Sequence, residues 1–116
     1  MAVHELFDTI ARLAGGYADL FAEHAAALGG VAEGTLQVAA AQSFLVPYPL
    51  RIADEKLHLF AVAAALAAFG ESTRAAVGQC DEHGDPESED IFTEVTRGID
   101  RQLWYVESHL EPRTRK

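Results

Sequence analysis

Cys80 is the only cysteine in the sequence, so no disulfide can form within the chain and no cysteine-cluster metal site can be built. Any bound metal must be held by His, Asp and Glu. Positive charge is scarce. Nine Lys and Arg stand against 18 Asp and Glu, a formal net charge of −9, and a surface of that sign repels polyanions. Nucleic acid is therefore expected to bind weakly or not at all. The contrary feature is the basic tail Pro112-Arg113-Thr114-Arg115-Lys116, which reads most simply as a solvated end. Long apolar runs are missing too. The longest unbroken one, Leu59 to Gly70, falls well short of the roughly 20 residues a membrane span needs, so no membrane segment is expected. The start, Met1-Ala2-Val3-His4-Glu5, lacks the basic and apolar regions of a secretory signal. The expected compartment is the cytoplasm.

What is present suits a single folded domain. The chain has 116 residues, 49% of them hydrophobic and 23% charged, which is ordinary for a globular core and too apolar for disorder. Glycine and proline punctuate it. Gly29-Gly30 close a first helical segment beginning near His4, Pro47 and Pro49 precede a second, and Gly84 with Pro86 separates the second from a third. In the connection Val31 to Tyr48, the stretch Leu36 to Ala41 can form a short extra helix.

The first segment carries two apolar stripes, Phe7, Ile10, Ala14, Tyr17, Phe21, His24 and Leu28 in one, Leu6, Leu13, Leu20 and Ala27 in the other. In the third, Asp85 is a candidate N-cap, Pro86 takes the first helical position, and Glu87 and Glu89 sit where the helix dipole favours acid. Its stripe runs through Ile91, Val95, Ile99, Leu103, Val106 and Leu110. No sustained alternation marks a strand. The expected class is all-α: a bundle of three long helices with a short helix in the long connection.

The first helix also holds His4, Asp8, Asp19 and Glu23. His4 and Asp8 are an i, i+4 pair, as are Asp19 and Glu23, so each pair shares a face within reach of one ion. At about 100° per residue the four fall at roughly 0°, 40°, 60° and 100° around the axis, a single stripe. The two pairs are nevertheless roughly 22 Å apart along the helix, too far for one metal. A second chain must complete each site. The positions are symmetric about a point near Leu13 and Ala14: in an antiparallel pair of these helices, residue i faces residue 27 − i, placing His4 beside Glu23 and Asp8 beside Asp19 of the other copy. The same stripe bears Ala11, Gly15, Ala22 and Ala26, small enough for two backbones to approach. Gly15-Gly16 costs about 1 kcal/mol per residue against alanine in mid-helix. Close packing and a helix break are the two explanations.

These residues stand inside a wider pattern. His4-Glu5-Leu6-Phe7-Asp8, then Leu28-Gly29-Gly30-Val31-Ala32-Glu33-Gly34-Thr35, Tyr48-Pro49-Leu50, Asp90-Ile91-Phe92-Thr93-Glu94 and Leu103-Trp104-Tyr105-Val106-Glu107 resemble, in order and spacing, the Dps (DNA-binding protein from starved cells) mini-ferritins. The resemblance covers nearly the whole chain. It implies a ferritin-like bundle over residues 1–110, followed by the short basic tail 111–116. It also implies ferroxidase chemistry with iron: Fe(II) oxidised by hydrogen peroxide or oxygen and stored in a dodecameric shell. In that family two ligands come from one subunit and two from its two-fold mate, and His4, Asp8, Asp19 and Glu23 inherit those roles. The family has a further helix ahead of this one, ending in a segment that supplies another histidine and often basic DNA-binding residues. Here the sequence starts at Met1 just before the matching second helix, so the expectation is a bundle without the first helix and a ligand set without that histidine.

Trp104 and Tyr105 resemble family aromatics near the site that intercept oxidising equivalents, although packing into the core is the plainer expectation. Asp85, Glu87, Asp90 and Glu94 resemble the acidic lining of the family's three-fold iron-entry pores, while capping and dipole compensation account for Asp85 and Glu87 without it. His24, His58, His83 and His109 lack ligand spacing and are expected in packing or surface roles. The rival to a ferroxidase is a non-catalytic oligomeric or nucleoid-associated protein that keeps the two-fold pairing and binds metal only structurally.

Overall fold

The computed structural model describes residues 2–111. Among these the chain is four helices and no strand: α1 (Val3–Ala27), α2 (Leu36–Gln42), α3 (Glu55–Glu82) and α4 (Pro86–Leu110). Three long helices and one short one in the connection are the elements the sequence predicts. The basic tail from Pro112 onward lies outside the described residues. The chain divides into two compact units, Met1–Phe44 and Leu45–Lys116.

In the first unit α1 runs unbroken through Gly15 and Gly16, so the helix break that this pair allowed does not occur. Flanking turns of good helix formers propagate across a local cost of this size. The helix ends as the glycines direct. Gly29, at φ 89°, donates its N–H to the Ala26 carbonyl, and Gly30 donates to Ala25; this is the Schellman arrangement that satisfies the last carbonyls. Leu6 is fully buried. Phe7, Ile10, Leu13, Tyr17, Leu20, Phe21 and His24 are half-buried, as two apolar stripes require, whereas Ala14, Ala27 and Leu28 are exposed. In α2 the Thr35 hydroxyl accepts the Val38 N–H at 3.2 Å and caps the first turn.

The second unit opens with an irregular segment, and α3 starts at Glu55, after the two prolines that the sequence places ahead of it. Pro47 and Pro49 bias the residues before them away from helical angles, and the first effective cap is Asp54, whose carboxylate accepts the Lys56 N–H at 2.9 Å. α3 and α4 form an antiparallel hairpin joined by His83, Gly84 and Asp85. Gly84, at φ 65°, donates to Asp81, Asp85 donates to Cys80, and the Asp85 side chain accepts the Ser88 N–H. One turn thus closes α3 and caps α4. Pro86 occupies the first turn as predicted.

Leu59 and Leu66 of α3, with Val95, Ile99 and Val106 of α4, are the buried hydrophobics of this hairpin. At Gly70 an added Cβ would lie 3.3 Å from Ile99 Cγ2, so the glycine lets the helices approach. Next to it Thr96 Oγ1 and Thr73 Oγ1 are 2.7 Å apart. Thr73 also reaches the Gly70 carbonyl and Thr96 the Phe92 carbonyl; with one proton on each hydroxyl, the pair is a relay ending on one of the two carbonyls. An exposed ion pair, Arg74 to Asp100 at 2.6 Å, adds little in water. α3 is long and apolar enough by length and composition to cross a membrane. Glu71 and Arg74 interrupt it, and its apolar seam is paired with α4.

A candidate metal-binding stripe on the first helix

His4 lies in the first turn of α1, Asp8 one turn later, and Asp19 and Glu23 in its second half. The unbroken helix keeps them on one stripe, at the spacing anticipated from the sequence. All four are exposed, as are Ala11, Gly15 and Ala26 between and beyond them, while Ala22 is half-buried. Among the described residues no hydrogen bond or ion pair ties any of the four to another side chain. Nor do any three of His, Cys, Asp and Glu come together in a group that could hold a metal ion. The described residues therefore hold two pairs of ligand-type side chains on α1, an imidazole with a carboxylate and a carboxylate pair, neither sufficient alone for a metal site. A Cβ added at Gly15 or Gly16 would meet nothing within 4 Å. Among the described residues no packing accounts for those glycines.

Other marked residues fall differently. Trp104 is 63% exposed, so the expectation of a core anchor is corrected: the Ile99–Val106 seam consumes one face of α4, and Trp104 lies off it. Its ring is tilted against Tyr105, with centroids 5.3 Å apart. Asp85 is the α4 cap, and Glu87, Asp90 and Glu94 are exposed along the same helix. His83 and His109 each direct Nδ1 at the carbonyl four residues back, Gln79 and Tyr105 respectively. A cleft of about 350 Å³ between the start of α3 and the end of α4 has Asp54, Glu55, Lys56 and His109 in its wall.

Sequence spacing missed two groups. His58 joins the Tyr48 hydroxyl and the Ile52 carbonyl, a contact between the irregular segment and α3 that no periodicity marks. Cys80, three residues before the α3 cap, has its thiol pKa raised by partial burial and, secondarily, by the negative charges of Asp85 and Glu89.

Comparison with known proteins agrees over almost the whole chain. The model of the family described as "Ferritin-like domain" matches residues 1–114. The DNA protection during starvation protein of Agrobacterium fabrum is 36% identical over 114 residues, 98% of this chain and 70% of that protein. Dps from Staphylococcus aureus superposes with a TM-score of 0.88 at 24% identity, covering 95% of this chain and 73% of that one. A point mutant of Dps1 from Mycobacterium smegmatis gives a TM-score of 0.85 at 28% identity, with 93% and 72% covered.

Proposed function

The chain belongs to the ferritin-like family, in its Dps branch, and from that premise we propose that it is a ferroxidase and iron-storage subunit whose sites are shared between two copies. Family membership brings an iron-related function. The finer reading rests on one observation: four ligand-type side chains lie exposed on one stripe of a continuous helix, too far apart to serve one ion and symmetric about its middle. Antiparallel pairing of two α1 helices brings His4 and Asp8 of one copy against Glu23 and Asp19 of the other, two sites per pair. Carboxylate and imidazole donors suit Fe(II) as substrate.

The residues' work is to bind and hold. The carboxylates neutralise the ion's charge and increasingly favour the ferric state as it forms, and the His4 imidazole completes the set as a neutral donor. Two Fe(II) ions give up one electron each; hydrogen peroxide accepts the pair as its O–O bond breaks to two hydroxide ions. Oxygen is the alternative oxidant. Leu28, Val31, Leu36, Phe44 and Trp104 are exposed large apolar side chains that self-association would cover, with a dodecameric shell as the family's form.

The deciding experiment is Fe(II) oxidation by the purified chain with peroxide. A progress curve faster than buffer, slowed by Asp8→Asn, is expected. A curve indistinguishable from buffer overturns the catalytic reading, and metal-dependent stabilisation without oxidation would then favour the non-catalytic, structural role.

A further inference from the structure

Tyr48 and His58 form a pair that the α1 stripe does not use. Tyr48 lies in the irregular segment before α3, and His58 in the first turns of that helix. The Tyr48 hydroxyl is hydrogen-bonded to His58 Nδ1, and His58 Nε2 lies 3.0 Å from the Ile52 carbonyl oxygen. A carbonyl can only accept, so Nε2 carries a proton; in the neutral imidazole Nδ1 is then bare and the phenol donates to it. The backbone thus fixes the tautomer that presents a base to the phenol proton. The rings are 22° from parallel with centroids 5.7 Å apart, and Tyr48 is 44% exposed, within reach of a diffusing reagent.

In that arrangement the phenol is the donor and carries its proton. Removing the electron alone leaves a cation radical, which costs more than losing electron and proton together, and a base already on that proton opens the cheaper route. We propose that Tyr48 and His58 form a one-electron trap for diffusible oxidants of the hydroxyl-radical class. The oxidant takes one electron from Tyr48 and becomes hydroxide. The phenol O–H bond breaks, and its proton passes to His58 Nδ1. What remains is a neutral phenoxyl radical beside an imidazolium whose Nε2–H still donates to Ile52. One electron from an external thiol, with return of the proton, restores the pair. The trap stands apart from the iron reading: iron enters only as one source of such oxidants, and the test needs no iron.

The experiment uses the full chain with Tyr17 and Tyr105 replaced by Phe, leaving Tyr48 as the single tyrosine. Photogenerated tris(bipyridyl)ruthenium(III) is the metal-complex oxidant, and the phenoxyl radical is followed by transient absorption and electron paramagnetic resonance. Its formation rate is expected to be independent of buffer-base concentration. In His58→Ala it should fall about a hundredfold, the scale of a positioned base, become buffer-dependent and recover on adding imidazole. Tyr48→Phe should abolish the signal. Equal rates with and without His58, or a buffer-dependent rate in the chain that keeps it, overturn the proposal. Should His58→Ala fail to fold by circular dichroism, the buffer dependence of the His58 chain decides alone.

Discussion

Thr73 and Thr96 hold their hydroxyls 2.7 Å apart across the α3–α4 seam, both side chains buried. Each also has a carbonyl of its own helix in reach, so removing one hydroxyl does not strand the other. Thr73→Val and Thr96→Val should each lower stability by about 1 kcal/mol, and the double variant by less than their sum, because two apolar groups of matching shape replace the pair. Urea unfolding of the four proteins checks this. Strict additivity would mean that the shared bond contributes nothing.

Gly15 separates the helix's own stability from its pairing. Alanine there meets nothing within 4 Å inside the chain and should stabilise α1 by about 1 kcal/mol. Under the proposed symmetry the position faces Arg12 of the other copy, where an added methyl holds the backbones apart. Gly15→Ala is thus expected to raise the thermal midpoint of dilute protein while weakening association by light scattering. Unchanged association would move the two-fold axis elsewhere.

Asp19 tests the shared site without measuring turnover. In the proposed pair it faces Asp8 of the other copy, and two carboxylates repel when no cation lies between them. Asp19→Asn should leave the metal-free pair at least as stable and shrink the stabilisation gained from a divalent ion, since metal favours the form that binds it. Thermal unfolding with and without the ion, at one protein concentration, reads both effects. Equal metal-induced shifts in the two proteins would return Asp19 to an ordinary solvated position.

Cys80 gives the pH dependence. Its thiol pKa is raised above the ordinary 9.0, first by burial and then by Asp85 and Glu89, so the folded chain keeps the proton after the unfolded chain has begun to release it. The contribution to stability is fully present below about 9 and is lost as pH rises through the raised value. Iodoacetamide, which reacts with the thiolate, should therefore modify the folded chain more slowly than the urea-unfolded one at mildly alkaline pH. Asp85→Asn keeps a good N-cap while removing one negative charge, and should accelerate the reaction. No acceleration would rule out a significant Asp85 effect.

The helix ends were legible because the signals for them are local. Gly29-Gly30 and the run Gly84-Asp85-Pro86 dictate backbone angles and caps within a turn of themselves, and α1, α2 and α4 follow. The seam was half legible: periodicity finds Val95, Ile99 and Val106, but nothing local explains why Ser88, Thr73, Thr96 and Gln102 are buried among them. Thr96 is hidden because Thr73, 23 residues away, answers it. Gln102 Oε1 is buried without a hydrogen-bond partner among the described residues, and no pattern of spacing foretells that. The start of α3 was left open after Pro49, because proline says where a helix cannot run, while the cap at Asp54 says where it begins. On α1 the spacing alone singled out all four candidate ligands, and the unbroken helix keeps them at that spacing. The His58 contacts with Tyr48 and Ile52 depend on how an irregular segment folds back, beyond the reach of periodicity.

Gly84 and Asp85 leave no slack between α3 and α4, since one residue finishes the first helix and the next starts the second. Their amide protons are held by the α3 carbonyls of Asp81 and Cys80, while the Asp85 carboxylate holds the Ser88 N–H of α4, so fraying either helix at the turn disturbs the other's cap. In amide exchange the turn should behave with the helix interiors rather than as a loop, and the two helices should open together as one cooperative block. Inserting a single residue after Gly84 would uncouple that block, giving each helix its own free end and its own melting.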